Sequence, residues 1–238
     1  MKRIALVIVD IQNDFITGSL ATKNAESKHD SAEIIPNIDE ILKKRHLFQK
    51  IFISKDWHPV DHISFHSNRF KYSSYSADAA SKLKIEQAKV FDTVEFRTPI
   101  GAVVAQVLWP DHCVQDTHGS CFHKDFKIDF PCELILKGCH PLADGYSLFQ
   151  GSNEEGESFL SLLQKESIET VVFCGIALEY CVGSSAIDAV NLGYETYIIY
   201  DATARIHKTD HFLHKILQES KIKFIQTKEL IEMLGNND

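Results

Sequence analysis

Four residues with titratable or nucleophilic side chains stand where strand-like apolar runs end. Asp10 follows Ile4–Val9, Asp56 follows Ile51–Ser54, Lys137 closes Leu134–Lys137, and Cys181 comes shortly after Val171–Cys174. In an open parallel sheet, ligands bind outside the carboxyl ends of the strands, so these positions would converge on one crevice. Cys181 falls in Gly175-Ile176-Ala177-Leu178-Glu179-Tyr180-Cys181, which reads as a strand-to-helix turn. A cysteine at a helix N-terminus feels the positive end of the dipole, which favours the thiolate. Unpaired amides in such a turn can also stabilise an oxyanion. A cationic Lys137 would lower the thiol pKa further. The Asp10 carboxylate could take the thiol proton and later deliver it to a leaving amine. Each residue taken alone reads more simply as a cap, a solvated charge or a packing thiol. Their convergence is what points to cysteine-dependent acyl transfer.

A second set has metal-ligand character. Asp56-Trp57-His58 places a carboxylate and an imidazole two residues apart, with His62 and His66 beyond, and Trp109-Pro110-Asp111-His112-Cys113 supplies a further imidazole. Carboxylate and imidazole suit a first-row divalent ion such as Zn²⁺, Mn²⁺ or Fe²⁺. The spacing alone is a weak signal. His207, His211 and His214 recur at helical spacing and read as an exposed helix face rather than as ligands. Cys139-His140 precedes Pro141 and reads as loop.

The elements that must position these residues alternate. Ile4–Val9, Val171–Cys174 and Thr196–Ile199 are β-branched-rich runs without alternation, the pattern of strands covered on both faces. Ile51–Ser54 and Leu134–Lys137 read as two more. Helix-period stripes lie between them: Ile34, Ile38, Ile41 and Leu42; Phe159, Leu162 and Leu163; Val182, Ala186, Ala189 and Val190; Phe212, Leu213, Ile216 and Leu217. A short strand at Lys223–Gln226 and a helix at Lys228–Leu234 complete the series. This alternation predicts a doubly wound, three-layer α/β/α fold with a mostly parallel sheet. One domain spans 1–238, with an irregular insertion at about 66–107 that is rich in serine and weak in periodicity.

Composition narrows the function. With 44% hydrophobic residues, the 238-residue chain can build one sizeable core. A net charge of −8 and the lack of a basic stripe argue against a nucleic-acid partner. The longest apolar runs are strand-length, far short of a membrane span. Asp10 and Asp14 break the first run too early for a secretion signal, so a cytoplasmic location is expected. The six cysteines, with no CxxC pair, are expected to be free thiols there.

At these residues the sequence resembles the nicotinamidase/pyrazinamidase family of the isochorismatase-like superfamily. The matching blocks are VDIQNDF at Val9–Phe15, DWHPVDHISF at Asp56–Phe65, LWPDHCVQDTHG at Leu108–Gly119, LKGCHPLADGYSLF at Leu136–Phe149 and FCGIALEYCV at Phe173–Val182. The resemblance implies a triad of Asp10 as proton carrier, Lys137 beside the thiol and Cys181 as nucleophile. It implies metal ligands Asp56, His58 and His112, with Ser64 contacting the ion directly or through water. Zinc is the leading candidate, with manganese or iron as alternatives. It further implies oxyanion-hole amides at Ala177 and Cys181, a cis peptide between Ile176 and Ala177, and an aromatic pocket walled by Phe15, Leu20, Trp109 and Tyr146. The implied reaction is hydrolysis of nicotinamide to nicotinate and ammonia in NAD salvage, with pyrazinamide also accepted.

Two departures from the family pattern stand out. Thr-Asp is usual before the aromatic residue and cysteine of the last block, where this chain has Leu178-Glu179; altered packing is the expected consequence. Residues Arg69–Gln106 fit the bacterial pattern poorly, and exposed aromatics there would suit a homo-oligomer. A carbamoyl or ureido amidohydrolase, or a non-catalytic thiol- and metal-binding module, are the alternatives. The DWHP block argues against the first and the intact Asp10, Lys137 and Cys181 set against the second.

Overall fold

A computed structural model describes residues 2–97, 101–208 and 211–235, with the side chains of 212 and 213 left aside. Six strands form one parallel sheet in the order β5-β2-β1-β6-β7-β8. They are β1 (Ile4–Val9), β2 (Lys50–Asp56), β5 (Glu133–Lys137), β6 (Thr170–Gly175), β7 (Glu195–Thr203) and β8 (Lys223–Ile225). A separate hairpin pairs β3 (Thr93–Arg97) with β4 (Val103–Val107).

Every residue of β1 and of β6 is buried, which is why both read as unbroken apolar runs. Successive side chains of β1 enter opposite layers. Ile4, Leu6 and Ile8 join one core cluster, and Ala5, Val7 and Val9 join the other. The first layer is covered by helices α2 (Ile35–Leu42) and α8 (Thr227–Gly235), through Ile38, Ile41, Leu230 and Leu234. The second is covered by α5 (Phe159–Lys165), α6 (Gly183–Asn191) and Leu217 of α7 (Phe212–Glu219). The result is the three-layer α/β/α arrangement expected. Truncating a core residue such as Leu6 to alanine would cost about 2–5 kcal/mol.

Chain order sets where a site can form. Strands on one side of β1 come early in the sequence and those on the other side come late, so the connections diverge between β1 and β6. Asp10 and the 176–181 turn therefore flank one crevice, with Asp56 and Lys137 paired in register on its β2–β5 side.

The structure differs from expectation in two places. The described residues of 66–107 are not irregular throughout: they hold α3 (Arg69–Tyr72), α4 (Ala79–Gln87), β3 and β4, over a small core of Tyr72, Ile85, Val94, Phe96 and Leu108. The second difference concerns α7. Leu217 is buried and Ile216 is 48% exposed, so only part of the expected stripe faces inward, and the Phe212 and Leu213 side chains lie outside the described residues. His214 is buried rather than on an exposed face, with Nε2 2.6 Å from Glu179 Oε1. Among the described residues, no helix is long and apolar enough to cross a membrane.

Candidate active site

The site is assembled from the ends of β1, β2, β5 and β6. Asp10 follows β1 with φ at 51°, a left-handed conformation that turns the chain sharply out of the sheet. Its Oδ1 accepts a 2.6 Å hydrogen bond from Ser54 of β2. Lys137 ends β5 with its ammonium wholly inside the protein. Nζ lies 2.8 Å from Asp10 Oδ2, off the hydrogen-bond axis, contacts Asp56 Oδ1, and donates to Cys181 Sγ at 3.0 Å. Carboxylate oxygens of Asp10 and Asp56 and the Cys181 sulfur all lie within 4.8 Å of one another.

Cys181 sits in a π-type turn, Leu178–Val182, that leads into α6. The turn is wide because Val182 N–H bonds to Ala177 O at 3.1 Å. The peptide between Ile176 and Ala177 is cis, as expected. Just before it, Gly175 has φ of 119°, and a Cβ there would meet Val9 O at 2.1 Å. Only glycine lets β6 and β1 approach this closely at the crevice.

Burial raises the pKa of Asp10, and Lys137 offsets this only in part. Burial also works to raise Asp56, but Lys137 and His58 overcome it and hold that carboxyl well below its usual range. For Lys137, burial disfavours the charge, yet the two carboxylates hold it well above the ordinary value. Asp56 is thus an anion, Lys137 a cation, and Asp10 the carboxyl most able to carry a proton. The thiol differs from expectation. Burial pushes Cys181 well above the usual cysteine value, and the pull of Lys137 is countered by Asp56 and Asp10. This environment favours the thiol over the thiolate, so attack by sulfur calls for a base.

Asp56, His58 and His112 each offer a ligand atom within 4.8 Å of the others, and all three are buried. Their tautomers fit a metal. His58 Nδ1 is 2.9 Å from Gly138 O and His112 Nδ1 is 2.8 Å from Pro110 O. Each Nδ1–H is thus spent on a carbonyl, which leaves the Nε2 lone pair for an ion. Burial drives His112 down to about 4, which keeps it neutral as a ligand must be. Gly138 makes the His58 arrangement possible: its φ is 64°, and a Cβ would lie 2.3 Å from His58 Cε1.

The expected wall residues Phe15, Leu20, Trp109 and Tyr146 all line one cleft with Asp56, His112, Ala177 and Cys181. Trp109 Nε1 donates to the Tyr146 hydroxyl at 2.9 Å. A larger cavity of about 630 Å³ lies between the hairpin and loop 138–146; it includes neither Cys181 nor Asp10, so the smaller cleft is the chemically relevant one.

Several contributors were not singled out from sequence. Tyr180 and Ile206 also line the cleft, and Tyr180 packs edge-on to Trp109 at 5.1 Å between centroids. Tyr180 adjoins the nucleophile candidate and could have been suspected; nothing in the sequence flags Ile206. His62, named from sequence only as a nearby imidazole, is buried 4.2 Å from the His58 ring, and its Nδ1 is 2.7 Å from Ser64 Oγ, so it orients Ser64. Asp14 accepts from Cys113 N at 2.7 Å and so anchors the loop bearing His112. Gln12 bridges the Asp56 backbone at both N–H and C=O.

This fold and this crevice define a family. Residues 4–216 match the Isochorismatase domain, and the chain belongs to that family. Within it, the chain is 34% identical over 212 residues to a nicotinamidase of Acinetobacter baylyi, covering 88% of this chain and 85% of the relative. A nicotinamidase/pyrazinamidase structure from Acinetobacter baumanii superposes with a TM-score of 0.76 at 32% identity, covering 97% of this chain and 99% of that one. A pyrazinamidase of Pyrococcus horikoshii in complex with zinc gives 0.65 at 28% identity, covering 94% and 99%.

Proposed function

We propose that this protein is a cysteine amidohydrolase that converts nicotinamide to nicotinate and ammonia, and that it accepts pyrazinamide as well. The observation that carries this reading is the buried Cys181 sulfur, 3.0 Å from Lys137 Nζ with the Asp10 carboxylate close by, at the base of an aromatic cleft. The family relatives support the substrate.

The chain's own residues account for each proton. Asp10 takes the Cys181 proton, and Sγ attacks the carboxamide carbon as the C=O π pair moves to oxygen. The oxyanion is stabilised by the Ala177 and Cys181 amides; Ala177 N–H has no acceptor among the described residues and is free for this role. Asp10 returns its proton to nitrogen, the C–N bond breaks, ammonia leaves, and a thioester remains. Asp10 then deprotonates a water that attacks the thioester, its proton returns to sulfur as the C–S bond breaks, and nicotinic acid departs and ionises to nicotinate in water. Lys137 stays charged throughout and balances the developing thiolate.

Asp56, His58 and His112, with Ser64 beside them, would hold one divalent ion, zinc before manganese or iron, whose chemistry there is to anchor the substrate's ring nitrogen. Phe15, Leu20, Trp109 and Tyr146 hold the ring so that the carboxamide faces sulfur. Nicotinate as the product suits the proposed role in NAD salvage. A single domain in the cytoplasm is the proposed setting, with no nucleic-acid or membrane partner. Exposed Phe70, Leu83 and Val103 in the 66–107 segment support self-association.

The test is ammonia release from nicotinamide and pyrazinamide by purified, metal-replete protein, repeated after chelation. Release that falls on chelation and returns with added metal supports the proposal. No release from either amide by metal-replete protein overturns it.

A further inference from the structure

Glu179 stands where the family pattern usually has aspartate, and nothing in the reaction uses it. It is nevertheless buried, 6% exposed, one residue from Tyr180 and two from Cys181. Its carboxylate does not face the thiol. Instead Oε2 accepts the Ile206 N–H at 3.0 Å, and Oε1 accepts the His207 N–H at 3.1 Å. His214 Nε2, reaching in from α7, lies 2.6 Å from the same Oε1. This contact is why His214 is buried instead of riding an exposed helix face.

The segment so held is part of the substrate cleft. Ile206 lines it, and His207 Nε2 lies 3.0 Å from the Tyr180 hydroxyl, whose ring lines it too. On its other side the segment is tied to the loop after α1 (Asn13–Ile16), because Ser27 N–H donates to Ile206 O at 2.9 Å and Ser27 Oγ to Arg205 O at 2.6 Å. Two consecutive amides pointing at one buried carboxylate are charge-assisted bonds, among the stronger constraints a loop can have. A neutral carboxamide in its place would keep one acceptor oxygen for two amides and leave the other amide unpaired in a dry site.

We infer that Glu179 is a positioning residue that sets the Ile206–Tyr180 wall of the cleft, and through it the binding of the substrate ring rather than bond cleavage. This inference rests on the cleft being the nicotinamide site. Glutamate differs from the usual aspartate by one methylene, and here its carboxylate is shared among two amides and His214.

The experiment compares Glu179→Gln, Ile206→Ala and the double variant in metal-replete enzyme. Ammonia release gives kcat and KM, calorimetric titration with nicotinate gives a Kd that needs no turnover, and thermal unfolding reports stability. Glu179→Gln should raise KM and Kd about tenfold with kcat within about threefold of wild type, the signature of lost binding rather than lost chemistry. Because both residues act through one wall, the double variant should be no worse than about twice the weaker-binding single variant. A fall in kcat with KM and Kd unchanged, or penalties that multiply in the double variant, would overturn the inference. If Glu179→Gln does not fold, Glu179→Asp keeps the charge with a shorter reach; raised KM and Kd then support the inference, and unchanged values overturn it. Wild-type protein that releases no ammonia, while the variants still weaken nicotinate binding, would sink the amidase reading and leave Glu179's role standing.

Discussion

Lys137 Nζ lies 3.0 Å from Cys181 Sγ while contacting both Asp10 and Asp56. One buried ammonium thus separates two carboxylates and faces the thiol, so structure and chemistry depend on the same charge. Replacing it with methionine keeps much of the volume but leaves the carboxylates facing each other unpaired. Lys137→Met should destabilise the fold by about 3–5 kcal/mol, as breaking a buried ion pair from one side does. Urea unfolding at neutral pH measures this, and an unchanged midpoint would mean that the cluster is more solvated than its burial implies.

The raised thiol pKa of Cys181 gives a pH dependence with a definite sign. A thiol whose pKa lies well above its ordinary value is protonated at neutral pH, and its thiolate fraction rises as pH rises towards that pKa. Wild-type protein has Asp10 to take the proton, so iodoacetamide should label Cys181 at neutral pH. Asp10→Asn cannot take it. Asp10→Asn also removes one of the charges that raise the thiol, but burial, the larger cause, remains, so labelling at pH 7 should fall by about 10²-fold, the scale of a lost general base, and recover as pH rises. Equal rates for the two proteins across pH would remove Asp10 from thiol activation.

Gly138 offers a test of the metal set without touching a ligand. Its positive φ and the 2.3 Å approach to His58 leave no room for a Cβ. Gly138→Ala should displace the imidazole and its bond to the 138 carbonyl, weakening metal affinity by about 10–100-fold, as loss of an orienting partner does. Competition with a chelator reads this directly. Unchanged affinity would show that His58 is not held through Gly138.

Much of this was legible in sequence, for a physical reason. β1 and β6 are buried on both faces, so burial wrote itself as unbroken apolar runs, and Asp10, Asp56 and Lys137 stand out because polarity begins where those runs end. The 66–107 segment was harder. α4 buries Ile85 alone and so has no apolar stripe to find. β3 could have been read, since Val94 and Phe96 alternate with polar Thr93, Glu95 and Arg97. What sequence spacing could not carry were contacts between distant segments. Ser54 on Asp10, Ile206 in the cleft and His214 on Glu179 exist only once the chain is folded. The resting state of Cys181 was also out of reach. A helix N-terminus and a lysine argue for thiolate, but burial and two carboxylates outweigh them.

A nucleophilic Cys181 becomes acylated during turnover. Rapid acid quench of metal-replete enzyme mixed with nicotinamide, followed by peptide mass spectrometry, tests this most directly. A nicotinoyl group on the peptide containing Cys181, absent from Cys181→Ala, is the predicted result. Steady turnover with no acyl group on that peptide, or turnover retained in Cys181→Ala, would rule out Cys181 as the nucleophile.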